Sequence, residues 1–243
     1  RLAHRVVAMA ALLLVILMAM TCFAMRPLLH REGRIALALL ACVVFLAVLG
    51  LWTSGARVPA VAMGNLLGGF VMLALCGRMA RSAGLAPARR GALGAWAWVG
   101  VALLLAQIAS GGLVSAGFAG LSCPDLTGCD ASGIAWQTLD PWREPVLDAA
   151  RGTNSAGALA SDLHRASALL VALVMVLLAV AVWRGGRRSE AALVLALLAA
   201  QAALGTMLVV WRLPLAVALA HNLVAALLLA AVLDLTDVRK TLR

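Results

Sequence analysis

Apolar residues run along this chain in seven long stretches, near 5–25, 35–54, 59–77, 92–113, 163–183, 191–210 and 213–233. Each is close to the roughly 20 residues that an α-helix needs to cross a hydrocarbon core about 30 Å thick. An open strand edge in lipid leaves backbone N–H and C=O groups unsatisfied, so all seven are predicted as helices. The first run is too long, and too closely followed by a second, to be a cleavable signal peptide. Only one connection is long, the polar segment 114–162. The expected fold class is therefore all-α, a polytopic membrane bundle with seven transmembrane helices. Residue 1 is Arg, not Met, which leaves an N-terminal portion to be expected ahead of it.

Composition agrees. The 243 residues are 64% hydrophobic and only 12% charged, with a mean hydropathy of +1.03. A soluble domain is about 45–50% apolar and about 25% charged, so this chain has too little polar material to cover a globule. Its net charge of +10 could suggest nucleic acid as a partner. The arginines, however, fall in short bursts between apolar runs, the pattern of helix-flanking charge, and no soluble basic module carries them. They follow the first run (Arg26, Arg31, Arg34), the third (Arg78, Arg81, Arg89, Arg90) and the fifth (Arg184, Arg187, Arg188), and recur in the tail (Arg239, Lys240, Arg243). If the runs alternate, all these lie on one side, which the positive-inside rule makes cytoplasmic. The long loop, with Asp125, Asp130, Asp140, Glu144, Asp148 and Asp162, is then outside, as is the N-terminus, in a bacterial-type plasma membrane.

The chain also repeats itself. Leu2-Ala3-His4-Arg5 opens the first run as Asp162-Leu163-His164-Arg165 opens the fifth, and Gly50 and Pro59 are spaced like Gly205 and Pro214. Gly64-Asn65-Leu66 follows the first proline much as His221-Asn222-Leu223 follows the second. The simplest account is a duplicated four-helix bundle whose first helix is absent here, its copies parallel rather than inverted. This divides the chain into an N-terminal half-bundle, 1–91, and a C-terminal four-helix bundle, 92–243, with the outer loop 114–162.

Ionisable groups within a membrane are rare and point to function. His30 falls in an Arg-rich loop and reads as solvated, whereas His4 and His164 are placed at the outer ends of their helices. His221 is about two turns, roughly 10 Å, into the last one. The expectation is that His164 and His221 lie on helices of opposite direction, both toward the outer leaflet. Two readings stay open for this pair: bis-histidine haem ligation across a bundle core, or an interfacial residue and an interhelical hydrogen bonder. Arg165 suits a haem propionate or a lipid headgroup. Cys123 and Cys129, two cysteines in one outer loop, suit a disulfide better than a zinc site, which wants four ligands, and a thiol relay is the other reading. Cys22, Cys42 and Cys76 read as small buried hydrophobes. Gln107 and Gln201 are expected to make interhelical hydrogen bonds. Trp52, Trp183 and Trp211 fit an aromatic belt, and Trp136 and Trp142 are available to pack the loop against the bundle.

Taken together, the segment Gln107-Ile108-Ala109-Ser110-Gly111-Gly112-Leu113-Val114, through Gly117 and Gly120 to Cys123-Pro124-Asp125 and Cys129, resembles the helix-and-loop signature of haem A synthases. His164-Arg165 resembles that family's first C-terminal haem ligand, and Gln201, Leu204-Gly205, Pro214 and Ala220-His221 its following helix pair and second ligand. The resemblance implies a pseudo-symmetric eight-helix protein. His164 and His221 would hold haem b in the C-terminal half, and Cys123–Cys129 would be the loop disulfide. Haem O would be the substrate in the N-terminal half, where a ring methyl becomes the formyl of haem A for terminal oxidases. His4 matches that half's first histidine and is its candidate catalytic residue. Implied partners are the bilayer, haem O synthase or terminal-oxidase assembly factors, and a second copy of the chain in a homo-oligomer. The N-terminal half departs from the pattern: Gly64 stands where the second histidine belongs, and Arg1 where a glutamate is common. Those departures motivate the alternative, a non-catalytic bis-histidine b-type haem protein in electron transfer or oxidase assembly.

Overall fold

The computed structural model describes residues 2–25, 28–52, 55, 57–82, 92–123, 125–126, 129, 135–148 and 154–236, and for Leu2, His4, Arg5, Trp52 and Ala92 the backbone alone. Arg1, Arg26, Arg89, Arg90, Asp130, Arg239, Lys240 and Arg243, and the side chains of His4 and Trp52, lie outside the described residues. Among the described residues are seven α-helices: α1 (Leu2–Ala24), α2 (His30–Trp52), α3 (Pro59–Ser82), α4 (Ala92–Ala116), α5 (Ala158–Arg184), α6 (Arg188–Val210) and α7 (Leu215–Leu235). All seven are long and apolar enough to cross a membrane. The protein is an all-α integral membrane bundle.

Several helices outrun the hydropathic stretches that announce them. α2 begins at His30, five residues early, so His30 opens a helix rather than lying in a loop, although its side chain is exposed. α5 begins at Ala158 rather than 163. Hydropathy marks only the part of a helix that meets hydrocarbon, and hydrogen bonding carries the helix on into the headgroup layer. Glu32 in the first turn of α2 suits the positive end of the helix dipole. Proline opens α3 and precedes α7, positions where its fixed φ and missing N–H cost little.

Helices α4, α5, α6 and α7 close into a ring in which each packs on two neighbours, and α3 lies against α4 and α7. The ring encloses one apolar cluster that includes Ala97, Leu104, Met175, Val182, Val194 and Val232. A second, smaller cluster of Val15, Ile35, Leu39 and Val43 joins α1 and α2. Helix contacts rest on small residues, as expected where lipid gives no hydrophobic drive: a Cβ on Gly100 would meet Met175 and Val232, and one on Gly68 would stand 2.5 Å from Leu46 Cδ2.

At the end opposite the long loop, α3 is clamped to the C-terminus of α7. Arg81 pairs with Asp234 at 2.6 Å, and Arg78 donates to Thr236 Oγ1 at 2.9 Å and the Leu233 carbonyl at 3.4 Å. Cations there satisfy carbonyls that the helix end leaves open.

At the loop end, α4 and α5 are joined closely. Asn154 Nδ2 donates to the Gly117 carbonyl at 3.0 Å and Asn154 N to the Phe118 carbonyl at 3.2 Å. Gly157, just before α5, lies so near Ala119 that a Cβ would stand 3.1 Å from its Cα. The α6–α7 turn holds Arg212 and Leu213 at left-handed φ of 54° and 61°, which costs about 1–3 kcal/mol at each. Seating the Leu213 side chain over Gly120 helps offset that cost. Trp136 and Trp142 do not pack the loop down: they are 67% and 73% exposed. The segment that carries them is joined to α3 through backbone, Ala60 N donating to the Pro141 carbonyl at 2.8 Å.

Gly157→Val is expected to lower thermal stability in detergent by about 1–3 kcal/mol through overpacking. Gly69→Ala, with open space around its Cβ, is expected to be neutral or stabilising by up to about 1 kcal/mol. Melting followed by size-exclusion chromatography checks both, and equal losses would contradict this packing.

Candidate functional site

Two polar constellations lie inside the ring, and they share one construction. α4 carries Gln107 and, one turn on, Gly111; α6 carries Gln201 and Gly205 at the same spacing. The helix after each delivers a histidine as its seventh residue, His164 in α5 and His221 in α7, about 9 Å from the helix start. The short connections 185–187 and 211–214 make consecutive helices antiparallel, so α5 and α7 run the same way. That corrects the expectation of opposite directions, and it is why equal registers bring both histidines to the same depth.

In the first constellation Gln107 Nε2 is 3.0 Å from His164 Nδ1 and donates to the His164 carbonyl at 2.9 Å. Ser110 Oγ is 2.8 Å from the same ring nitrogen and donates to the Gln107 carbonyl at 2.8 Å. Ser167, one turn beyond His164, donates to Gln107 Oε1 at 2.7 Å. The ring fits because residue 111 is glycine: a Cβ there would stand 2.9 Å from His164 Cε1.

In the second constellation Gln201 Nε2 is 3.0 Å from His221 Nε2, and a Cβ on Gly205 would meet His221 Cε1 at 3.4 Å. Leu204 and Val224 stand where the first constellation has Ser110 and Ser167. With Val224 at the place of Ser167, Gln201 Oε1 is buried with no hydrogen-bond partner among the described residues, and so is His221 Nδ1, the ring nitrogen that does not face Gln201. Buried polar atoms are normally satisfied, so this pair would suit a bound polar or metal-containing group.

Arg165 turns toward the loop. Its Nη1 donates to the Asp125 carbonyl at 2.6 Å and its Nη2 to the Cys123 carbonyl at 3.3 Å, which leaves three of a guanidinium's five N–H donors for other partners. Cys123 and Cys129 are joined to each other, and their sulfurs rest 3.6 and 3.4 Å from the Ala158 carbonyl oxygen. The cysteine loop is thus tied to the first two turns of α5, next to His164. His4 is in the first turn of α1, its side chain outside the described residues. In α3, Gly64 faces α2, where a Cβ would stand 2.8 Å from Leu49 Cδ2 and 3.8 Å from Phe45 Cζ.

Gln107 and Gln201 make the interhelical bonds expected of them. Ser167 was not singled out from the sequence, nor was the pairing of each glutamine with a glycine four residues on. The repeated Gln-x-x-x-Gly and the serine three residues past His164 were the available signals.

Two imidazoles, each with one nitrogen held by a glutamine and both on parallel helices of one ring, suit a bound metal-containing group between helices. Fold and site together define a polytopic helical membrane protein with a paired-histidine core. The chain belongs to the cytochrome oxidase assembly protein family, whose profile matches residues 2–233. It is 30% identical over 212 residues to heme A synthase of Shewanella oneidensis, a match that takes in 81% of this chain and 63% of that protein. The kinship with haem A synthases that the motifs implied is borne out.

Arg165→Ala is expected to free the loop, speeding backbone hydrogen exchange around 121–126 by roughly tenfold, since a hydrogen bond from a charged group is worth about 1.5–3 kcal/mol. Arg165→Lys, lacking the planar fork, is expected to restore only part of the protection. Exchange unchanged in the alanine variant would contradict the anchoring role.

Proposed function

We propose that this protein is a haem A synthase-like membrane oxidoreductase that converts haem O to haem A by oxidising a ring methyl to a formyl, for terminal-oxidase biogenesis. The observation that carries the reading is the doubled Gln–Gly–His arrangement, supported by the family membership. In it, His164 and His221 hold haem b in the C-terminal bundle, 92–243. Such a haem supplies an iron that takes up and gives back single electrons. The protein's own part is structural and electrostatic. Gly111 and Gly205 leave room for the rings, the glutamines orient them, and the apolar ring of helices excludes water. Arg165 fixes the cysteine loop over the site and offers its remaining donors to a carboxylate. The loop end faces outward and the arginine-bearing end the cytoplasm, as the charge pattern favours. Haem O is taken up on the side of the N-terminal half-bundle, 1–91, where His4 is the candidate catalytic residue.

A second reading is a non-catalytic b-type haem protein in electron transfer or oxidase assembly. The observation that favours it is the apolar filling opposite Gly64: Leu49 and Phe45 lie where a second N-terminal histidine would reach.

Haem extracted from detergent-purified protein and identified by chromatography separates the two. The first reading expects haem b together with haem O or haem A, and the second expects haem b alone. His164→Ala and His221→Ala are each expected to lose most of the bound haem while keeping the monodisperse elution of the parent. Haem retained in full by both variants would refute ligation by this pair. Cells lacking the protein, and lacking any second synthase, are expected to accumulate haem O; normal haem A in them would refute the synthase reading.

A further inference from the structure

The two histidines are held by the same device, yet their glutamines are not equally constrained. Gln107 has its amide engaged at both ends: Nε2 donates to the His164 carbonyl, with the ring 3.0 Å away, and Oε1 accepts from Ser167. Gln201 has only the ring: Val224 stands where Ser167 would take its Oε1, which is buried with no partner among the described residues. A metal-ligating imidazole must keep a lone pair on one nitrogen and a proton on the other, and the acceptor facing that proton fixes the tautomer and raises the donor strength of the ring. At His164 an acceptor is already built in. Ser110 gives its own proton to the Gln107 carbonyl and so presents a lone pair to Nδ1. At His221 the side-chain acceptor within the constellation is Gln201 Oε1.

Resting on the haem-ligation reading above, we propose that Gln201 is a positioning residue that sets the tautomer and donor strength of His221 by exchanging the two ends of its amide. With Nε2 toward the ring it holds the imidazole through a lone pair, as in the structure. With Oε1 toward the ring it accepts the ring proton and leaves the other nitrogen to a metal. Gln107, pinned by Ser167, lacks that freedom, and Ser110 does the accepting in its place. The two imidazoles would therefore differ as ligands: one is permanently set and one is switched by a single amide. Val224 is the reason the amide is free, since a hydroxyl at that position would take Oε1 as Ser167 takes it in the other constellation.

The test is the haem midpoint potential of the purified, haem-loaded protein, with ligation checked by the low-spin spectrum. A stronger acceptor on an axial imidazole makes the ring a better donor and lowers the potential, and loss of the acceptor raises it. Gln201→Leu is expected to shift the potential upward and to weaken haem retention about 10–100-fold. Val224→Ser, which keeps the glutamine but engages its oxygen, is expected to shift it upward as well. Gln201→Glu is expected to shift it downward. Should Gln201→Leu fail to fold or lose haem outright, the serine and glutamate variants still decide the question through their opposite signs. Potentials that stay put, or that move in one direction in both, overturn the proposal while leaving ligation by His164 and His221 intact. Wild-type protein that binds no haem overturns both.

Discussion

A polar side chain surrounded by hydrocarbon is costly until another polar group meets it, and in this bundle that requirement is met by amide–imidazole contacts. Gln107 with His164 ties α4 to α5, and Gln201 with His221 ties α6 to α7. Much of the surrounding architecture serves to make those two meetings possible. The glycine one turn past each glutamine admits the ring face. The close approach of Gly157 to Ala119 fixes where α5 starts against α4, hence the height at which His164 arrives. In the other hairpin the left-handed Arg212 and Leu213 set where α7 begins and so the height of His221.

The two ends of the bundle are closed by different chemistry. At one end, Arg78 and Arg81 of α3 bind the terminal carbonyls and Asp234 of α7, so that the N-terminal helices are attached to the ring through charge as well as packing. At the other end, Arg165 carries the joined cysteine loop on the same turn of α5 that presents His164.

Helix number and membrane character were legible because lipid leaves little choice: seven runs of the right length, short connections and one long loop. Helix ends were less so. His30 and Ala158 belong to helices although hydropathy assigns neither to an apolar run, because a helix continues wherever its own hydrogen bonds and the headgroup layer allow. His164, His221 and the two glutamines could be picked out as polar residues in apolar surroundings, but their pairing could not, since it depends on helices remote in sequence arriving at one depth. The shared direction of α5 and α7 was misjudged, although strict alternation of seven helices already implies it. The loop tryptophans were misassigned for a related reason: an aromatic residue in a polar loop gives no sign of whether it turns inward, and Trp136 and Trp142 do not.

The halves of the chain differ most at the level of these polar meetings. The C-terminal ring has two, whereas Gly64 in α3 faces Leu49 and Phe45, an apolar contact that stabilises packing and brings no ring nitrogen. The proposed function turns on whether His164 and His221 together hold one iron atom. Electron paramagnetic resonance of the oxidised, detergent-purified protein tests it most directly. The account predicts a low-spin bis-imidazole haem signal that is lost in both His164→Ala and His221→Ala. The same signal persisting in either variant, or a high-spin signal from the parent protein, would contradict it.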